Sequence, residues 1–366
     1  MNRYFFYLFL FVALMNIMIF VPHILNDNRF DGSVAAILIS PIFGSIMIYM
    51  FTNALSRFPG QGLPEIFSQY FPRWFTTAYM IFYAMMYWFS STVVAMAFAV
   101  LINRFFNPDA NVLIIMSIIV LASGYAATRS TLTVMLLIEI IIILNVPIIL
   151  FIIFKMVTSP QLNLDSIHVV ANYVWHWPSL ASLAAATFIF TGYINLSLFN
   201  RLFPPNFRFK FLWMYPILGL IILLVTFFVP IGFHGSQGTA QYIYLWTITA
   251  DSLMMQYGFI ERVMFLFLIV FLNLSLVYTT AAWHQAMEFL KGCMPSMKPE
   301  TDSPKAPISN YVILGIFTMA SILYMVMVNE NMNLAITTAW LIIRMFTEVA
   351  TVATVFILSR RRLMPR

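Results

Sequence analysis

Long apolar stretches, broken only by short polar ones, constrain this chain more than any motif in it. Counted between charges, the stretches run approximately over 4–25, 32–56, 74–103, 111–128, 131–157, 179–202, 211–231, 259–289, 308–328 and 333–358. A helix needs about 20 apolar residues to cross the hydrocarbon of a bilayer. Inside lipid every backbone N–H and C=O must be paired within the protein, so only helices and closed barrels span it. Stretches of this length, continuous rather than alternating, select the helix. Only 9% of the residues are charged and 62% are hydrophobic, against about 25% charged in soluble domains. The expected fold class is therefore an all-α integral membrane protein with ten transmembrane helices. The single cysteine, Cys293, leaves no internal disulfide framework.

Charge placement predicts the topology. With the N-terminus inside, the inner segments hold Arg3, Arg57, Arg73, Arg129, Arg201, Arg208, Lys210 and the later Lys and Arg of 291–305 and 360–366. The outer segments hold only Arg29, Arg104, Lys155 and Arg262. An excess of basic residues marks the cytoplasmic side, so both termini are expected there. The formal charge of +6 reads as topology and not as a nucleic-acid footprint. The first stretch exceeds the apolar core of a signal peptide, and no small-x-small cleavage site follows it. It is expected to be a retained helix with a break or bend near Pro22.

Between the second and third stretches, Leu63, Ile66, Phe67, Tyr70 and Phe71 fall on one helical face. Pro64 suits a first turn and Pro72 a stop, which predicts a short interfacial helix. Residues 232–258, with Gln237, Gln241 and Trp246, are expected to form an outer segment with a short surface helix. The chain reads as one permease domain, 1–366. It comprises a first five-helix group (1–158), a second (178–359) and a basic tail (360–366). Secondary transporters are often built from such inverted repeats, each opening with a discontinuous helix. Met15-Asn16-Ile17 with Pro22, and Thr191-Gly192-Tyr193, would be those interruptions in helices one and six.

The interruption in helix six is the best pointer to a binding site. Gly192 weakens the helix by about 1 kcal/mol relative to alanine, and freed backbone groups at that depth must line a cavity or find partners. The competing reading is a small residue that lets two helices approach closely. The expected ligand-binding residues are Asn16, Ile17, Thr191, Gly192, Tyr193 and Asn195. Ionisable groups inside a membrane are expensive and functional. Glu139 is either a proton-sensitive carboxylate or a tether to a neighbouring helix. Arg344 and Glu348, four apart, form an internal salt bridge or a gating pair. The hydroxyls of helix eight, Ser275, Thr279 and Thr280, could serve a sodium ion but more commonly bond their own backbone. No catalytic constellation, metal-ligand spacing or cofactor motif is present, and no enzyme is expected.

Three stretches carry a family resemblance: Arg57-Phe58-Pro59-Gly60 leading to Glu65; Tyr125-Ala126-Ala127-Thr128-Arg129-Ser130 followed by Glu139; and Gly258-Phe259-Ile260-Glu261-Arg262. With ten spans in a chain of this length, they resemble the spore germination permease family, the GerAB-type B subunits of germinant receptors, within the amino acid-polyamine-organocation superfamily. The resemblance implies a LeuT-like fold of five plus five inverted helices in the spore inner membrane. It also implies a complex with A-type and lipoprotein C-type subunits, and a small germinant bound beside helices one and six. Glu139 falls on the family's glutamate in helix five and Gly192 on its glycine in helix six. Two departures, Met15-Asn16-Ile17 in place of glycines and Tyr193 in place of an acid, point to an uncharged, aromatic-lined pocket.

Overall fold

Every regular element among the described residues is helical. The computed structural model describes residues 2–204, 207–254, 261–294, 299, 301–303 and 305–361. In chain order the α-helices are α1 (Asn2–Met15), α2 (Phe20–Asp27), α3 (Ser33–Leu55), α4 (Leu63–Tyr70), α5 (Arg73–Phe105) and α6 (Val112–Ala127). They continue with α7 (Thr131–Val157), α8 (Leu164–Ala171), α9 (Leu180–Phe188), α10 (Leu196–Phe199) and α11 (Met214–Gly238). Last come α12 (Leu245–Asp251), α13 (Val263–Gly292), α14 (Ile308–Met327) and α15 (Glu330–Arg361). The Gly258–Ile260 part of the third motif, and the basic tail beyond Arg361, lie outside the described residues.

Seven of these helices are long and apolar enough to cross a membrane, and nine such elements result if two bent pairs each count as one. The tenth expected stretch is α6, which at 16 residues is shorter than a typical span. The bent pairs are α1 with α2, at 54°, and α9 with the Thr191–Leu202 segment, at 63°. They are the two helices that the sequence marked as interrupted. The first break, however, falls at 16–19 and not at Pro22. Pro22 lies in the first turn of α2, where its missing N–H costs no helical hydrogen bond.

α13 is the central element, packed against α5, α6 and α7, while α15 packs against α3, α9 and α5. α14 is peripheral, with Ile308, Val312, Ile316, Met319, Leu323 and Val326 exposed. That outward apolar face is what a lipid-facing helix needs. α4 forms as expected, with Pro64 in its first turn, Glu65 closing a capping box on Gly62, and Leu63, Ile66 and Phe67 buried. The segment after α11 departs from expectation. Trp246 on α12 is 1% exposed and donates its indole N–H to the Thr226 carbonyl at 3.0 Å. α12 is therefore wedged into the bundle by its tryptophan and is no surface helix.

Candidate functional site

Where α9 stops, the chain turns through a short 3-10 segment, Thr191–Asn195, before α10. This irregular stretch is fully buried. It faces a cavity of about 60 Å³, enough for a handful of water molecules or a small solute of similar size. Thr191, Ile194 and Asn195 line it from the break, Phe11 and Val12 from α1, and Tyr83, Met86, Tyr87 and Ser90 from α5. Tyr278, Ala282 and Gln285 close it from α13, and Trp340, Arg344, Thr347 and Glu348 from α15.

The wall is mostly aromatic and aliphatic, but it carries one ion pair. Arg344 Nη1 lies 3.0 Å from Glu348 Oε2, and each side chain is 5% exposed. Four residues separate them on one helix face, so the pair forms without help from another element. The rest of the bundle then fixes the guanidinium. It donates to Thr191 Oγ1 at 2.8 Å, to Thr187 Oγ1 at 3.2 Å and to the Ala184 carbonyl, and it stacks 4.9 Å from the Phe188 ring centre. The Ala184 carbonyl lies in α9, one turn from the break. Arg344 thus ties α15 to both sides of the interruption. Arg344 Nε, Glu348 Oε1 and Gln285 Oε1 are buried and have no hydrogen-bond partner in the protein. A buried polar atom left unpaired costs about 1–3 kcal/mol. Three of them around one cavity mark where a polar ligand or ordered water would be held.

The expectation of an uncharged pocket is therefore corrected, because Arg344 and Glu348 are part of its wall; the aromatic lining is present. Thr191 and Asn195 line the cavity as expected. Asn195 accepts from Gln285 Nε2 at 2.9 Å and donates to the Gly192 carbonyl at 3.0 Å, which bridges the break to α13. Gly192 itself faces away. A Cβ on it would lie 2.4 Å from Phe9 Cα and 2.6 Å from the Leu8 carbonyl oxygen, so it is the close-packing glycine that lets the break rest on α1. Tyr193 packs edge-on against Phe51 at 5.7 Å, with its hydroxyl beside Glu348. Asn16 lies outside this cavity. Its side chain donates to the Val12 carbonyl at 2.7 Å, which also accepts the Asn16 backbone N–H at 3.2 Å. It lines a second, smaller cavity that shares Ser90, Phe188, Tyr278 and Trp340 with the first. Ile17 is buried and lines neither.

Glu139 is remote from the cavity. It lies 3.4 Å from Arg3 at the start of α1, which is the tether among the two readings. Of the three hydroxyls on α13, Ser275 and Thr280 take their structural reading, donating to the carbonyls of Leu272 and Leu276 on their own helix, while Thr279 Oγ1 is buried with no hydrogen-bond partner among the described residues. Several wall residues had not been anticipated. Tyr83 and Tyr87 fall on α5 in a stripe with Tyr79, which lies outside the cavity, each four apart and visible in the sequence; Tyr79 and Tyr83 bond Thr351 Oγ1 at 2.6 and 2.7 Å. Gln285, one of two amides in α13 with Asn273, carried a similar signal. Trp340 did not stand out among eight tryptophans; its indole N–H donates to the Met86 carbonyl at 3.2 Å.

Residues 3–333 match the model of a permease family described as spore germination protein. The chain belongs to the spore germination permease family. No curated protein matches the chain. The family match takes in α1, α2, α9 and the break of this spore germination permease, and it stops at Asn333 near the start of α15. Arg344 and Glu348 therefore lie past the matched residues, and the charged wall of the pocket is read from this chain alone.

Proposed function

We propose that this spore germination permease is the B subunit of a nutrient-germinant receptor and binds a small germinant in the cavity beside the break at Thr191–Asn195. The observation that carries this reading is the buried Arg344–Glu348 pair, which presents unpaired atoms to a largely apolar cavity. Such a wall suits a solute with a small apolar body and a charged or zwitterionic polar end. Glu348 Oε1 would accept from a ligand ammonium or hydroxyl, Gln285 Oε1 would accept a second N–H, and Tyr278 and Trp340 would cover the apolar part. A ligand signals only as far as it binds two conformations differently. Arg344 would supply that difference, because its bonds to Ala184, Thr187 and Thr191 depend on how α9 and the break lie against α15.

The chain would then cross the spore inner membrane ten times, with α6 as a short span. Its two halves would form an inverted LeuT-like repeat, both termini would be cytoplasmic, and A- and C-type subunits would read its state. Basic side chains support this orientation: Arg57 follows the end of α3, Arg73 opens α5, Arg129 joins α6 to α7 and Arg201 ends the broken span after α10, all on the inner side in that topology. The test is a germination assay of a deletion strain against a nutrient panel. Complementation by the wild-type chain, and not by Glu348→Gln or Arg344→Gln variants present at normal level in the membrane, is the expected result. Full complementation by both would overturn the assignment.

The two broken helices favour a second reading, a secondary transporter of amino acids or related solutes, since such breaks mark the sites of that class. Saturable uptake of labelled amino acids into proteoliposomes would support transport against a pure receptor.

A further inference from the structure

We propose that the cytoplasmic end of this bundle is a standing lock centred on Arg201, so that the pocket exchanges its contents with the outer face only. The assignment of that end as cytoplasmic rests on the orientation given above. Arg201 lies six residues past Asn195, so the lock sits directly beneath the pocket on the same broken span. Its guanidinium, 3% exposed, holds Glu288 of α13 at 2.6 Å and Glu65 of α4 at 2.6 Å. Glu288 also holds Lys291 at 2.7 Å, both nearly inaccessible. Glu65 is anchored in turn by the Gly62 amide at 2.7 Å. Beside it, Asn200 donates to the Phe58 and Gln61 carbonyls, each at 2.8 Å. Three elements distant in sequence meet in this network, in which Glu65 is 27% exposed and Arg201, Glu288 and Lys291 are at most 3% exposed, at the floor of a cavity of about 190 Å³.

The other end is built differently. Its described ion pairs, Arg104–Glu330, Arg262–Asp251 and His23–Asp27, each have one partner about half exposed, and its buried Arg29 holds the neutral Asn26 and Ser236 carbonyls. Exposed pairs contribute little, whereas breaking a buried pair leaves an uncompensated charge. Further along α1 lies the second cavity, which shares the rings of Phe188, Tyr278 and Trp340 with the pocket. Opening outward therefore parts these rings, exposed ion pairs and a cation held by neutral carbonyls, while opening inward needs buried opposite charges to separate.

Thiol accessibility tests this without any germinant. Ser197, fully buried between pocket and lock, is replaced by cysteine in a Cys293→Ala chain within the assembled receptor. Sealed inside-out vesicles are then treated with a membrane-impermeant maleimide. An Arg360→Cys chain, exposed at the cytoplasmic end, sets the full rate. The Ser197→Cys thiol is expected to remain unlabelled over the time in which the control is complete. Adding Arg201→Gln is expected to raise its rate at least tenfold, and Glu65→Gln to raise it less. Labelling of Ser197→Cys at the control rate with the lock intact would overturn the proposal. So would a folded Arg201→Gln chain that stays unlabelled. If Arg201→Gln does not accumulate, Glu65→Gln decides, and no rise there also overturns it. Because no ligand is added, a lock that fails leaves the germinant pocket standing, and a pocket that binds nothing leaves the lock standing.

Discussion

Replacing Gly192 by alanine adds one methyl group at the place where the broken helix rests on α1. That methyl would sit 2.4 Å from Phe9 Cα and 2.6 Å from the Leu8 carbonyl oxygen. Both are backbone atoms, so no side chain can swing aside, and an ordinary contact requires a displacement of about 1 Å between the two segments. Overpacking that forces backbone shifts costs about 1–3 kcal/mol, and the upper end applies here because nothing soft absorbs the clash. At an unfolding entropy of about 2.1 cal/mol/K per residue, 3 kcal/mol corresponds to a fall of roughly 4 °C in melting temperature for a chain of this size. Thermal scanning of the detergent-purified protein by intrinsic fluorescence measures it. Gly315→Ala is the matched control: a methyl there meets nothing within 4 Å, and within α14 it favours the helix by up to about 1 kcal/mol. The functional readout is germination rate, because a shift of about 1 Å carries Thr191 and Asn195 off their positions in the pocket wall. An unchanged melting temperature and an unchanged response in Gly192→Ala would refute the close contact.

Removing one partner of the Arg344–Glu348 pair strands the other, so Arg344→Gln and Glu348→Gln should each destabilise the fold by about 3–5 kcal/mol. An Arg344→Met, Glu348→Leu double variant should melt closer to wild type while failing to respond to germinant; a double variant less stable than both singles would contradict this. Asn16→Ala deletes the side-chain bond to the Val12 carbonyl and should cost about 1 kcal/mol, with the half-saturating germinant concentration unchanged because Asn16 is outside the main cavity. Arg3→Gln should change stability by less than about 1 kcal/mol, since Arg3 is 62% exposed beside Glu139; a larger loss on denaturation would make that pair more than a tether.

What the sequence made legible follows from what one dimension can hold. Apolar length gives the spans, and the glycine flanked by hydroxyls at Thr191-Gly192 gives the break in helix six, because both are local. The ion pair Arg344–Glu348 was visible for the same reason, lying one turn apart on a single helix. Which face of the break meets the cavity is not local. Gly192 is turned toward α1 by the packing of Phe9, and that contact joins positions 183 apart in the chain. Arg201, Glu65 and Glu288 were invisible as a group, since each taken singly reads as an ordinary charge near a helix end. The same limit explains Trp246: an indole drawn to the Thr226 carbonyl looks, in sequence, like an interfacial aromatic.

Charge balance in the buried Arg344–Glu348 pair has an electrical consequence. Moving one elementary charge through the membrane field does work of about 2.3 kcal/mol per 100 mV. Arg344 and Glu348 cancel. A rearrangement that carries the pair as a unit therefore moves no net charge along the bilayer normal, and the pair by itself adds no dependence on the membrane potential.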